Sequence, residues 1–286
     1  MQPYEEDADL VLPTRAGSTE NLLRRAFRVG VACNLASMPA GRHPRDLGIL
    51  SVTAVVEPCS QRRVGDLLQI NRTVMVKLVD ALERDGLVRR ERDPADRRNY
   101  ALRVTTAGRE AAARMRDGIA KGEADLLAPL TADEAGRLGE LLARIAAPPA
   151  PEIPAELAGL VGFLLPRAYH QARAWVLEPL AGLGIAPRHL GILNVLAGLA
   201  PCSQQRLAGE LGITGPAVVA ALSELEHRGL IDRHRDSRDR RQHVLVLTPA
   251  AHRMLAGLNR TPDRLAEALG GADLDELNRI LGRLIR

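Results

Sequence analysis

The chain repeats itself. Leu47-Gly48-Ile49-Leu50 returns as Leu190-Gly191-Ile192-Leu193, and Pro58-Cys59-Ser60-Gln61 as Pro201-Cys202-Ser203-Gln204. Gly86-Leu87 returns as Gly229-Leu230, and Asp96-Arg97-Arg98 as Asp239-Arg240-Arg241. From Leu47 to Thr105 the copies align without a gap at a spacing of 143 residues, with nearly half of the positions identical. So long a period marks duplicated domains, each with its own core, not a solenoid of small units. At 286 residues there is room for two such domains. Apolar residues make up 46% of the chain but aromatics only 2%, so the cores must be Leu, Val, Ile and Ala, and the fold mainly helical.

Within each copy the local signals are ordered. Gln61–Leu68 reads as a short helix, Gln69-Ile70 as a tight turn, and Asn71 as the cap of a helix over Arg72–Asp85. That second helix has Met75, Leu78, Val79 and Leu82 on one face and Arg72, Thr73, Val76 and Lys77 on the other, and Gly86 ends it. Leu87–Glu91 and Tyr100–Thr105 then read as strands joined by a turn in which Pro94, Asp93 and Asp96 favour a hairpin. Arg89, Arg90, Arg92, Arg97 and Arg98 crowd its tip, a density that a polyanion compensates. Helix, turn, helix and basic hairpin compose a winged helix-turn-helix, whose second helix enters a major groove while the wing reaches the neighbouring backbone or minor groove.

Both copies resemble the MarR family (multiple-antibiotic-resistance regulators). The resemblance is carried by NRTVMVKLVDALERDGLV and RRERDPADRRNYALRVTTAG, with Asp93, Asp96, Arg97, Thr105 and Gly108 at the family's wing positions, and by ALSELEHRGLI and RHRDSRDRRQHVLVLT in the second copy. With the flanking helices it covers about nine-tenths of the chain. It implies a mainly α protein in which two winged helix-turn-helix domains carry long outer helices. Family members are usually one such unit per chain acting as homodimers. Two units in one chain imply an intramolecular pseudo-dimer, with a triangular body and two DNA-reading heads on a pseudo-palindromic operator.

The expected order is an acidic flexible tail over 1–17, a first unit over 18–146, a Pro-rich linker over 147–154 and a second unit over 155–286. Ser18 or Thr19 caps a helix running to about Ser37, and Pro44 starts the next, which ends before Pro58. Ala107–Leu130 and Thr131–Ile145 read as outer helices, the latter opened by a Thr131–Glu134 capping box. The prolines of AAPPAPEIP favour a stiff, extended spacer. The second unit opens with a helix over about Ala155–Leu180, broken or kinked near Pro166, and ends in helices near Pro249–Leu269 and Ala272–Ile285.

The two recognition helices differ. Where the first has Arg72, Thr73, Val76 and Lys77, the second has Gly215, Pro216, Val219 and Ala220, leaving Thr214 as almost its only base-reading side chain. Its wing stays basic, with Arg233, Arg235, Arg238, Arg240 and Arg241 beside His234 and His243. One reading gives the first head base readout through Asn71, Arg72, Thr73, Val76 and Lys77 with wing residues Arg89, Arg92, Asp96, Arg97 and Arg98. The second head then supplies mainly backbone affinity, with Asp239 placing Arg240 as Asp96 places Arg97. In the other reading the second head has drifted and no longer binds DNA. A rival function, a small-molecule sequestering protein that has lost DNA recognition, also stands at this point.

The resemblance further implies a crevice for a small aromatic or anionic effector between outer helices and head. In the register of the first helix, Phe27 matches Tyr169 and Cys33 matches Trp175; these positions with Arg25, His43, Arg167, His170 and Arg173 are the candidate lining. Phe27 and Tyr169 also fit a plain core. Most of the seven histidines read as surface or interfacial residues. Cys33 reads as a small apolar side chain; Cys59 and Cys202, one in each head, read as buried. Three cysteines without a CxxC pair suit a reducing cytoplasm and call for no metal or cofactor. No phosphate loop, HExxH or GxSxG marks an enzyme.

Overall fold

The computed structural model describes residues 19–92, 100–211, 215–235, 243–258 and 264–286. In the first copy the order is α1 (Thr19–Ser37), α2 (Pro44–Val56), α3 (Gln61–Leu68), α4 (Arg72–Arg84), β1 (Val88–Arg92), β2 (Tyr100–Val104), α5 (Thr106–Leu127) and α6 (Ala132–Ile145). A short α7 (Ala155–Ala158) precedes the second copy: α8 (Val161–Ala181), α9 (Pro187–Leu199), β3 (Cys202–Ser203), α10 (Gln204–Leu211), α11 (Gly215–His227), β4 (Ile231–Arg235), β5 (His243–Leu247), α12 (Pro249–Leu258), α13 (Arg264–Leu269) and α14 (Gly271–Leu284). From α2 to β2 each bound recurs 143 residues later, so the repeat in sequence is a repeat in structure.

Two compact units emerge. One comprises Leu22–Ala172 together with Ala268–Arg286; the other is built on Arg173–Glu267. In the first, Leu47, Ile49, Leu50, Val64, Met75, Val79, Leu82 and Leu102 form the buried centre of the head. In the second, Ile192, Leu193, Leu196, Leu207, Val218, Leu222, Leu225 and Leu245 do the same. Aliphatic packing fills both, as so aromatic-poor a sequence requires. The wings are antiparallel pairs, β1 with β2 and β4 with β5. The sequence reading missed a third component. Cys59 bridges Leu102, and its counterpart β3 pairs fully with β5, so residues just after Pro58 and Pro201 join the wing sheets.

Caps fix the helix starts. Asn71 Oδ1 accepts from Val74 N (2.9 Å) and Ser60 Oγ from Arg63 N (3.2 Å), while Thr131 and Glu134 form the expected capping box. His43 caps α2: its Nδ1 accepts from Arg45 N (3.1 Å) and Asp46 Oδ2 accepts from His43 N (3.0 Å). Burial, helped by the Arg45 charge, pushes the His43 pKa down from 6.5 to about 4. A group so depressed contributes stability that is complete above pH 6.5 and is lost as the pH falls toward 4, because only neutral imidazole can accept at Nδ1. Replacing His43 by Asn keeps a capping acceptor that does not titrate. The urea midpoint of this variant should therefore vary less with pH across that window than wild type, and equal slopes would refute the assignment.

The outer helices of the first unit come from both copies. Cβ atoms added at Gly122 in α5 would lie 2.9 Å from Asn34 Cα and 2.5 Å from its Oδ1, so α1 and α5 approach backbone to side chain with no room for alanine. At the start of α8, Val161 N and Gly162 N donate to Glu123 of α5 (2.5 and 2.9 Å). This carboxylate caps the helix from outside, and it sets where the expected Ala155–Leu180 helix is interrupted. The break falls at Gly159–Leu160, not at Pro166, which lies within α8. The final helix, α14, packs on α6.

The linker is not an extended spacer. Ile153 (5% exposed) and Leu157 (7%) belong to the buried core of the first head, and Glu152 pairs with Arg63 of α3 (2.9 Å). The prolines limit the chain's freedom, but Ile153 among them gains more by burial than by extension, about 1.5–3 kcal/mol. The tail 1–17 lies outside the described residues.

Candidate nucleic-acid interface and effector site

In the first head the turn between α3 and α4 closes through Gln69, in the left-handed region at φ 57, and Ile70 N donates to Gly65 O (2.9 Å). Beyond it Asn71, Arg72, Thr73, Val76 and Lys77 are all exposed on one face of α4, while Met75, Val79 and Leu82 are buried on the other. This face presents a carboxamide, a hydroxyl, two cationic donors and a methyl-bearing surface, the set that reads major-groove edges and phosphates.

The wing sorts its arginines. Arg92 stays exposed, its guanidinium 5.3 Å from the centre of the Tyr100 ring, and Arg89 pairs with Glu91 (2.8 Å). Arg90 is not part of the tip. Its guanidinium donates to Glu83 Oε2, Asp80 Oδ1 (2.6 Å) and Gln61 Oε1 (2.9 Å), and its backbone N to Glu83 Oε1 (2.9 Å). One side chain thereby ties the wing strand to both helices of the helix-turn-helix. Strand alternation carries the signal: Arg89 and Arg90 face opposite sides of β1, and Asp80 and Glu83 lie a turn apart at the end of α4. Asp96, Arg97 and Arg98 lie outside the described residues.

In the second head Val219 is 44% exposed and Ala220 is exposed, at the positions of Val76 and Lys77. Arg235 and His234 are exposed on the wing strand. Arg233 repeats the Arg90 arrangement, its Nε donating to Glu226 (3.0 Å) and its Nη1 to Gln204 (3.5 Å). Thr214, Arg238, Asp239, Arg240 and Arg241 lie outside the described residues. His189 departs from the surface expectation. It is 1% exposed, accepts from Ala186 N at Nδ1 (3.2 Å), and has Nε2 2.8 Å from Glu224 of α11. As the third residue of α9 it folds back on the helix start, as its counterpart Asp46 does on α2.

The first unit contains most of the residues expected to line the effector crevice and brings three of their rings together. Phe27 stacks on Tyr169 (centroids 5.8 Å, planes at 24°), and His170 lies 6.0 and 5.2 Å from the two rings. Tyr169 is 4% exposed. Arg167 is 8% exposed, with its guanidinium 5.3 Å from the Phe163 ring. Its Nε and Nη1 are buried, and no hydrogen-bond acceptor meets them among the described residues. Burial lowers the Arg167 pKa from its ordinary value. A buried guanidinium is costly unless an anion or acceptors compensate it, and a ring face compensates only in part. Arg25, its counterpart in α1, is exposed. His43 is half-buried and committed to its cap; Arg173 and Trp175 are half-buried in the second unit. Phe163, not singled out in the sequence, is the ring that meets Arg167.

Burial and the charge of Asp125 raise the Cys33 thiol pKa, burial raises that of Cys202, and burial pushes Cys59 to about 11, the reverse of what activates a thiol. Among the described residues no group of side chains is arranged to hold a metal ion, and no helix is long and apolar enough to cross a membrane.

The family model described as MarR family matches this chain twice, over residues 40–99 and 183–242. A Thauera aromatica protein described as a transcriptional regulatory protein for the hcr operon is 34% identical over 149 residues, 50% of this chain and 89% of that protein. Among solved structures, the transcriptional repressor CouR bound to a 23-mer DNA duplex is 35% identical over 46% of this chain and 96% of its own, with a TM-score of 0.39. The PcaV transcriptional regulator of Streptomyces coelicolor in complex with its natural ligand is 28% identical over 48% of this chain and 94% of its own, with a TM-score of 0.42.

Proposed function

Because this chain belongs to the MarR family and carries two of its winged units in tandem, we propose that one polypeptide acts as a ligand-responsive repressor closed on itself as a pseudo-dimer. It is a transcription regulator of MarR type. The division into a first unit at 18–146, a linker at 147–154 and a second unit at 155–286 describes the two halves of that pseudo-dimer. The observation that carries the reading is the mixed origin of the outer helices: α14 of the second copy packs on α6 of the first, where a homodimer would supply a second chain.

The first head reads bases through Asn71, Arg72, Thr73, Val76 and Lys77, and its wing holds backbone or minor groove through Arg89, Arg92, Arg97 and Arg98, with Asp96 positioning Arg97. The second head contributes Thr214 and its wing arginines Arg235, Arg238, Arg240 and Arg241, with Asp239 as positioner and Arg233 tying the wing to the helices as Arg90 does, and so adds affinity more than sequence information. The effector is a small anion, aromatic in part, whose negative group meets Arg167 and whose ring joins Phe27, Tyr169 and His170. Arg25 and His43 of the same unit complete the candidate lining. Effector binding moves a head, so that the recognition helices no longer match major grooves about 34–36 Å apart. The protein acts in the cytoplasm.

The test is a salt titration of affinity for the duplex upstream of its own gene beside a scrambled duplex. A steep salt slope with specific binding at least ~10³-fold tighter supports the regulator. Weak, equal binding to both, with a ligand still bound, favours a sequestering protein, the reading to which the apolar Val219–Ala220 face points.

A further inference from the structure

The helix pair α6–α14 carries a charge pattern that specifies its partner. Leu138, Leu141, Leu142 and Ile145 of α6 and Leu277, Ile280, Leu281 and Leu284 of α14 are all buried, none more than 3% exposed. These apolar quartets share one spacing, so the helices superpose with Leu138 on Leu277. On that register Arg137 is the counterpart of Glu276, Glu134 of Asp273, and Arg144 of Arg283.

The contacts have the form of a two-fold interface. Arg144 pairs with Asp273, and reciprocally Arg283 pairs with Glu134 (2.6 Å), the i-to-j, j-to-i exchange of an isologous contact. Arg137 meets its own counterpart, Nε to Glu276 Oε2 at 2.9 Å, and also reaches Asp273 at 2.5 Å. A position that meets its own counterpart lies at the pseudo-two-fold axis. There identical copies would bring like charges together. Two first-copy helices would oppose Arg137 to Arg137, and two second-copy helices Glu276 to Glu276. Arg137 and Glu276 are each about one-third exposed, so this contact is partly shielded from water. Like charges juxtaposed in an interface cost several kcal/mol.

We infer that Arg137 and Glu276 are the specificity pair of this interface: they admit a first-copy helix against a second-copy helix and reject either against its own kind. The partner of the α6 surface is therefore the other half of the same molecule, and the linker holds it at high effective concentration. The inference rests on the pseudo-dimer reading and adds a rule for which halves pair.

Single substitutions in the full-length chain recreate each rejected pairing within one molecule. Arg137→Glu sets two glutamates at the axis, and Glu276→Arg two arginines. Each should lower the melting temperature by at least about 5 °C. The reversed double variant, Arg137→Glu with Glu276→Arg, should melt above the Arg137→Glu single variant instead of below both, the non-additivity of directly coupled sites. Native mass spectrometry of wild type at micromolar concentration should give one chain. Losses that simply add in the double variant, or a neutral single variant, would overturn the specificity pair. A stable wild-type dimer whose double variant still recovers would instead overturn the intrachain reading and leave the pairing rule standing. Neither readout requires DNA binding.

Discussion

Replacing Arg72 and Lys77 together by alanine is expected to weaken operator binding by at least about 30-fold, because each side chain contributes about 1–3 kcal/mol when it meets a base edge or a well-placed phosphate. Both are exposed on the outward face of α4, on a helix whose start is fixed by the Asn71 cap, so removing them leaves the fold intact. Val219→Ala, on the outward face of α11 at the position of Val76, should alter affinity less than about threefold, the range of surface substitutions that remove no specific contact. Fluorescence anisotropy at one fixed salt concentration decides the matter. Comparable losses from both heads would mean that the second helix reads DNA as fully as the first, and the asymmetric division of labour would be wrong.

Arg167→Met should have two effects of opposite sign. It removes a buried cation whose Nε and Nη1 have no acceptor among the described residues, at similar length, so the effector-free protein should gain about 1–2 kcal/mol of stability after loss of the contact with the Phe163 ring. Release from the operator by an anionic effector should meanwhile disappear, since its charged group would face a thioether. The pairing is diagnostic. A structural arginine gives destabilisation with the response retained; a binding arginine gives stabilisation with the response lost. Chemical denaturation without effector and operator release across a panel of aromatic carboxylates separate the two.

The duplication and the winged architecture were legible in the sequence because they rest on short-range signals: Asn71 before an amphipathic run, Gly86 after it, paired strands around Asp93–Asp96 and the same order 143 residues on. What escaped depends on contacts between distant residues. Nothing near Gly159 announces that Glu123, 38 residues earlier, will cap α8, so Pro166 drew the expected break toward itself. Composition made residues 147–154 a spacer, yet Ile153 and Glu152 find the first head. Arg90 looked like one more tip arginine, but its partners Glu83, Asp80 and Gln61 sit on two other elements. The candidate effector lining was half legible. The repeat register put Phe27 and Tyr169 at equivalent places, and the rings do stack, but only three-dimensional structure distinguishes buried Arg167 from exposed Arg25.

The central claim is that one chain does what two usually do. Native mass spectrometry of the protein on its operator duplex tests it directly. A complex containing one 30.9 kDa chain per duplex, unchanged as protein is added beyond equivalence, is the expected result. A complex that forms only with two chains would contradict it, and would place the functional two-fold axis between molecules.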